Sequence, residues 1–557
     1  MGRVGGRMDG EAAGRRAESR RDSTGGPGAA AGLDPALVDL LILRQSDENE
    51  ELERWHSYYR NPARRVETID AAGSSQTTRR LAQEAGLPAR VTGVRREGLA
   101  VTGGDDRSFG RREVVIENDI AWRVQTMIDF LFGKMPVLVS AADDDATREV
   151  VKALIDAAWD ASGGLETLQD AALMAHVFGH VDFVVRVDEA ALRSVGRRAS
   201  RARLGAGSAA ASHAAMVELA AEAGRAFRIE AVDPRRSVPV LDADDYRVLE
   251  GYVIHYQRES NGVERVGLRR GVFGGESWGR RLKREAYTEV FGPDGREVWV
   301  GGELIEREDG GVFDGLVPVV HVQNQSQPLV YAGVGEIEPL IPLQDELNTR
   351  LSDRANRVTM QSFNMYLAKG IEGFGDAPVA PGTVWSTDNP DASVERFGGD
   401  ASSPSEDRHI EQVRSALDKI SGVPPVASGV VEARIGNLTS ASALRVTMVG
   451  LLAKTNRKRV TYGRGIRGVC GLVLEAASRV GLLELASTDR EIRIEWPDPL
   501  PIDEQELATA VRVRRELGVP RDRVAESLGI VPGEGEADGT EPGLDESGVQ
   551  RTGVTDA

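Results

Sequence analysis

The stretch GLVPVVHVQNQSQPLVYAGVGEIEPLIPLQDELNTRLSDRANRVTMQS, residues 315–362, decides the fold. It reads as a buried-type strand, a Gly-rich turn and a long helix. Leu340, Leu343, Leu347, Leu351, Ala355 and Val358 recur at steps of three and four and make one apolar seam. Asp345, Asn348, Ser352 and Asn356 make a second, polar seam on another face. A helix of about 20 residues is about 30 Å long. Such an element, polar on one side and without an evident catalytic group, suits lining or bridging better than an ordinary core.

Toward the N-terminus, Asn118 starts a helix with Ile120, Val124, Met127, Ile128 and Leu131 on one face, stopped by Gly133 and Pro136. A second helix runs through Val150, Leu154, Ile155 and Trp159 to Gly163-Gly164, and a third from Leu165 to Phe178. The period then alternates: 181–187, 227–233, 246–257, 285–291, 297–301 and 316–323 read as strands of an antiparallel sheet region. The Arg-rich pieces RSVGRRASRARLGAG and GLRRGVFGGESWGRRLKR between them read as exposed loops. Toward the C-terminus, TVWS and SVERF flank an Asn389-Pro390-Asp391 turn, a small hairpin module. Ser403-Pro404-Ser405-Glu406 then opens a helix with Ile410, Val413, Leu417 and Ile420 in register, closed by Gly422 and Pro424-Pro425. Residues 426–438 read as a mobile loop, followed by a helix capped from Thr439, Ser440 and Ser442. Further helices follow over 466–484 and 503–517.

A chain of 557 residues is too long for one compact core. Its net charge of −18 argues against tight phosphate gripping, which needs a basic face. An acidic wall instead lets a duplex slide past without sticking, if other forces confine it. The single cysteine, Cys470, excludes an internal disulfide and a Cys-rich zinc site, as expected for a reducing compartment. LVDLLIL at 37–43 is too short for a membrane span, and the Arg-containing N-terminus lacks the apolar region of a secretory signal. Residues 1–35 and 533–557 are expected to be disordered tails.

The ordered set PVVHVQNQ, GVGEIEPLIPLQDELNTRLSDRAN, the small β insert, HIEQVRSALDKISGVPP and NLTSASALRVTMVGLLAKT resembles the portal proteins of tailed bacteriophages. The likeness covers about 110–480, best over 315–455. It implies an α+β, mainly helical subunit with wing, stem, clip and crown. About twelve copies would form a ring at one capsid vertex, with double-stranded DNA passing through the channel. The partners it implies are the terminase large subunit, the head-tail adaptor, the major capsid protein and scaffold, with no membrane, cofactor or metal. The location it implies is the host cytoplasm during assembly and then the virion.

By the same resemblance 36–335 is the wing, 336–362 and 403–422 the stem helices and 363–402 the clip. Residues 423–438 are the tunnel loop, 439–460 the helix behind it and 461–532 the crown. The DNA-facing positions would be Ser428, Gly429, Val430, Val431, Glu432, Ala433, Arg434, Ile435, Gly436 and Asn437. The stripe Asp345, Asn348, Ser352 and Asn356 would line the lumen or meet a neighbouring subunit, and the apolar seams would bury against neighbours. The cluster Lys454, Arg457, Lys458 and Arg459 would be a DNA contact or a solvated helix end. The inserts 191–226 and 267–284 depart from the family pattern.

Several motifs point elsewhere. Gly275–Gly279 spells G-x-S-x-G, but a nucleophile elbow needs a strand before it and a helix after. Gly463–Gly468 spells G-x-G-x-x-G after a helix rather than a strand, and marks the alternative of a nucleotide-dependent enzyme. A third alternative is a capsid or connector protein without a DNA channel. His176, His180 and Asp182 have a spacing that zinc can use, yet Gly179 interrupts the helix, and a packed helix end is the expected reading.

Overall fold

The computed structural model describes residues 26–69, 75–92, 113–205, 209–268, 277–362, 365–370, 388–397, 403–428, 445–486 and 488–500, with Arg512, Val513 and Glu516. The chain divides into a large unit, residues 1–436 with 446–499, and a small one, 437–445 with 500–557. In the small unit Arg512 and Glu516 form an exposed pair at 3.7 Å.

Among the described residues the longer helices of the large unit are α1 (Pro35–Arg60), α2 (Asp119–Phe132), α3 (Asp145–Ala161), α4 (Leu165–Phe178), α5 (Glu189–Gly205), α6 (Ala209–Gly224), α7 (Ile341–Ser362), α8 (Pro404–Ser421) and α9 (Val449–Arg479). The strands are β1 (Ala63–Ile69), β2 (Ser75–Leu81), β3 (Val137–Ser140), β4 (His180–Val187), β5 (Phe227–Val232), β6 (Ser237–Leu241) and β7 (Leu249–Leu268). They continue with β8 (Ser277–Gly292), β9 (Gly295–Val300), β10 (Glu303–Asp309), β11 (Val319–Gln323), β12 (Met365–Lys369), β13 (Ser393–Phe397) and β14 (Ile492–Glu495). All pairings are antiparallel, in a five-stranded sheet β10-β9-β8-β7-β6, a three-stranded sheet β11-β4-β5 and the pairs β1-β2, β12-β13 and β14-β3.

Local chemistry explains the helices around the main core. The Asn118 side chain caps α2 through the Ala121 amide, and the Asp144 side chain caps α3 through the Thr147 amide at 2.9 Å. Ile120, Val124, Ile128 and Leu131 of α2 are buried with Leu154, Ile155 and Trp159 of α3. Full burial of each such side chain contributes about 1.5–3 kcal/mol. Gly179 ends α4 at φ +96°, and a Cβ there would lie 2.4 Å from the Gly333 carbonyl oxygen. Only glycine lets the loop after β11 close on that helix end.

Several sequence expectations change. RSVGRRASRARLGAG is not a loop: α5 covers most of it, with Leu192, Val195 and Ala199 buried at steps of three and four and Arg193 and Arg198 paired to Glu189 and Glu222. Arg and Ala are strong helix formers, and reading the charge alone hid the period. GLRRGVFGGESWGRRLKR belongs to the long β7-β8 hairpin, with Leu268 opposite Ser277, while 269–276 lie outside the described residues. SVERF pairs with Met365–Lys369, and TVWS lies outside the described residues.

The expected N-terminal tail is structured from residue 26. The amides of Gly28 and Ala31 donate to the Glu297 carboxylate at 2.9 Å, and Trp299 Nε1 donates to it at 2.7 Å. Glu297 is 1% exposed, and these donors give the buried carboxylate the partners it needs. The helix expected to end near residue 460 runs on to Arg479.

Candidate functional site

α7 and α8 lie side by side and carry the β12-β13 pair between them in sequence. Leu347 is fully buried in the core that also holds Ile410, Val413 and Leu417, with Leu343 and Leu351 packed against it. Polar contacts join the two helices: ion pairs from Arg354 to Asp407 at 3.3 Å and from Arg357 to Glu406, and a hydrogen bond between His409 Nε2 and Glu346 at 3.0 Å. The α7 apolar seam therefore closes within one chain as far as Leu351. Its end at Val358 is 42% exposed.

The polar seam is engaged within the chain too. Asn356 Oδ1 accepts from the Glu113 amide at 3.0 Å, and its Nδ2 donates to the Glu113 carbonyl at 3.0 Å. Ser352 Oγ accepts from Val115 N at 3.0 Å, and Asn348 Oδ1 from Glu117 N at 3.0 Å. Four helical residues rise about 6 Å and two extended residues about 6.8 Å, so an i, i+4 stripe keeps pace with alternate residues of an extended strand. Asp345, the fourth member, accepts from Tyr58 Oη at 2.9 Å. Burial raises the Asp345 pKa, and the Tyr58 hydrogen bond opposes that rise. Within the chain these four side chains hold α1 and the segment 113–118 against the helix.

The base of the helical pair is a buried ionic knot. Glu336, just before α7 and 3% exposed, meets Lys458 Nζ at 2.7 Å and Lys454 Nζ at shorter range. Gln325 Nε2 donates to Glu336 at 2.8 Å, and the Glu336 amide donates to the His176 carbonyl at 2.7 Å. Lys454 also donates to the Ser421 carbonyl at 2.8 Å, so one ammonium ties the start of α7 to the end of α8. Arg123 of α2 clamps the same α8 end, reaching Asp418 at 2.7 Å, Ser421 Oγ at 2.9 Å and the Val423 carbonyl at 2.9 Å.

Burial works to raise the Glu336 pKa, but the ammoniums of Lys458 and Lys454 overcome it and hold the carboxyl well below its usual range. Lys458 is pushed down to about 8, by burial first and by Lys454, with Glu336 opposing. His176 is held neutral by burial and by Lys458. Its Nδ1 then donates to the Ala172 carbonyl at 2.6 Å, and its Nε2 accepts from Lys458 at 2.6 Å.

These contacts correct the reading of the basic cluster as a DNA contact or solvated helix end. Lys454 and Lys458 are buried, Arg459 donates to the Pro497 carbonyl at 2.6 Å and lies over Trp496, and Arg457 alone of the four is exposed. Because α9 continues to Arg479, the cluster sits inside the helix, where no dipole end favours it. A signal for this was present: Leu451, Lys454, Lys458, Tyr462, Gly465 and Val469 share one helical face, placing both lysines in the apolar seam.

Of the expected tunnel loop, Ser428 ends a 3-10 turn from Pro425, and Gly429–Asn437 lie outside the described residues. Gly463–Gly468 is interior to α9 and cannot form a phosphate-cradling loop. A Cβ on Gly465 would lie 2.2 Å from Val322, and one on Gly468 2.9 Å from Val320, so these glycines let α9 press on β11. Ser277 opens strand β8 instead of preceding a helix, which removes the nucleophile-elbow reading. His176 and Asp182 are buried in separate networks, and among the described residues no group of His, Cys, Asp and Glu is arranged to hold a metal. Among the same residues no helix is long and apolar enough to cross a membrane.

No curated protein matches the chain by sequence. Among solved structures it is similar to a chain described as "Virion of native gene transfer agent (GTA) particle", with a TM-score of 0.36 and 13% identity over 76% of this chain and 96% of that one. That likeness is too loose to argue from. The family model described as "Phage portal protein, SPP1 Gp6-like" matches residues 201–522, more than half of the sequence, and includes α7, α8 and α9. The chain belongs to this family of phage portal proteins, structural components of virions.

Proposed function

We propose that about twelve copies of this chain form a ring at one capsid vertex. Double-stranded DNA is packaged through that ring by a terminase and later ejected, and the ring docks a head-tail adaptor. The family match supports this reading most directly. The local architecture agrees with it: two long helices joined at one end by a buried ionic knot, with a small β insert between them. The β12-β13 region within 363–402 is the proposed clip, which meets terminase during packaging and the adaptor afterwards. The ring assembles in the host cytoplasm beside major capsid protein and scaffold.

No covalent chemistry is required of this chain. A net charge of −18 keeps the passage from gripping phosphate, and an ATP-driven partner does the work. The segment Ser428–Asn437 is the proposed tunnel loop, next in sequence to the knot that Lys454 makes with Ser421 and Glu336. Deleting Ser428–Asn437 is expected to leave ring assembly intact and to lower the yield or length of packaged DNA. Normal packaged length and yield in that variant would refute the loop assignment.

A further inference from the structure

The loop after β11 is built rigidly around an apolar tip. Gln323 Nε2 donates to the carbonyls of Gln327, Val330 and Tyr331 at 3.2, 2.9 and 3.0 Å, and its Oε1 accepts from the Gln327 amide at 3.1 Å. Tyr331 stacks on His321 at 3.8 Å, and its hydroxyl donates to the buried Asp182 at 2.7 Å. Between these anchors Leu329 is 83% exposed and sits at φ +70°, while Val330 is 46% exposed. A left-handed backbone costs a leucine about 1–2 kcal/mol. An isolated exposed leucine needs no explanation, but one held in a strained conformation by this many anchors is pre-organised for contact.

The same chain carries a matching hole. A cavity of about 250 Å³ is walled by Val187, Phe291, Phe313 and Leu316, with the charged Arg186, Glu189, Arg296 and Glu308 also lining it. An apolar cavity of about 150 Å³ already accepts a six-carbon ring, so this one has room for the four-carbon side chain of Leu329. The larger cavity of about 580 Å³ is the poorer receptor, because more charged groups line it, Asp170, Arg228, Glu230, Asp233, Arg236 and Glu289 among them. Leu329 does not fill the hole of its own chain: it is exposed and is not among the residues that line it. Leu316 and Pro318 of the cavity precede the start of β11, whereas the loop leaves from its end. Knob and hole are thus different surfaces of one chain, the requirement for a head-to-tail contact that closes into a ring.

We propose that Leu329 and Val330 of one copy insert into the Phe291, Phe313 and Leu316 cavity of the next copy, an inference that rests on the portal reading. The contact has the anatomy of a binding hot spot, an apolar anchor in a pocket with polar groups around it.

The test is cysteine cross-linking of the full chain carrying Leu329→Cys and Val187→Cys. The native Cys470 stays unreactive, being buried with its thiol pushed up to about 12 by that burial. Oxidation of assembled rings is expected to give a ladder of covalent multimers on a non-reducing gel. A mixture of the two single variants is expected to stop at dimers, and neither single variant alone gives a ladder. In parallel, Leu329→Asp, a surface change that leaves the fold intact, is expected to raise the concentration for half-assembly at least tenfold. Rings of the double variant that yield no cross-link overturn this contact while leaving the portal reading in place. An unmodified chain that forms no ring overturns the portal reading, and the contact falls with it.

Discussion

Replacing Glu336 with glutamine keeps the side chain's size and removes the one anion between two buried ammoniums, with Lys458 at 2.7 Å and Lys454 closer. Breaking one partner out of a buried pair costs about 3–5 kcal/mol, because the remaining charge is left uncompensated. Lys458, already pushed down to about 8, can relieve part of that penalty by releasing its proton. Glu336 is one of the charges that hold Lys458 up, so without it Lys458 gives up its proton at a lower pH, and the loss is expected at the lower end of the range at pH 7. The acid side has its own sign. The folded carboxyl lies below its ordinary 4.5, so its stabilisation is fully present above that pH and is lost as the pH falls through the folded value. The parent should thus lose more stability than Glu336→Gln on going from neutral pH to about pH 3. Urea unfolding of both chains, followed by tryptophan fluorescence and far-UV circular dichroism across this range, reads the difference. A variant within about 0.5 kcal/mol of the parent at pH 7 would behave like an ordinary surface substitution and refute the knot as a stabilising element.

Leu347→Asp places an unpaired charge at a fully buried position between α7 and α8, so it is expected to abolish the folded subunit itself rather than to block ring closure alone. A soluble, normally folded monomer by circular dichroism and gel filtration would show that the seam belongs to the inter-subunit contact after all. Asn356→Ala removes two hydrogen bonds to Glu113, at about 1 kcal/mol each. Hydrogen exchange at Glu113 and Val115 should accelerate several-fold while α7 stays protected, and unchanged exchange would contradict the anchoring of 113–118 on α7. Glu297→Ala leaves the buried amides of Gly28 and Ala31 without their acceptor, so residues 26–34 should become open to proteolysis at protease levels the parent resists.

Much of the architecture was legible because it is written in periods. The apolar steps of α2, α3, α4, α7 and α8 and the alternation in β4, β5 and β8 are local, and the start at Asn118 and the stop at Gly422 act within a turn of the residues that carry them. What was not legible depended on partners distant in sequence. The stripe at Asn348, Ser352 and Asn356 looks solvent-facing until the segment 113–118, more than 200 positions away, is laid along it. Lys454 and Lys458 look like a cationic patch until Glu336 is set between them. The anchoring of residues 26–34 rests on Glu297, which no local pattern links to Gly28 or Ala31. In the first two cases a polar side chain was read as outward-facing because its partner could not be seen. Burial with a satisfied partner is the other physical solution for a polar group.

Single-particle imaging of the purified full-length chain, with its mass measured by light scattering, tests the central claim most directly. The account predicts rings with an open axial hole and a mass about twelve times the 60.0 kDa of one chain. A compact particle without a hole, remaining one or two chains in mass at every concentration, would contradict it.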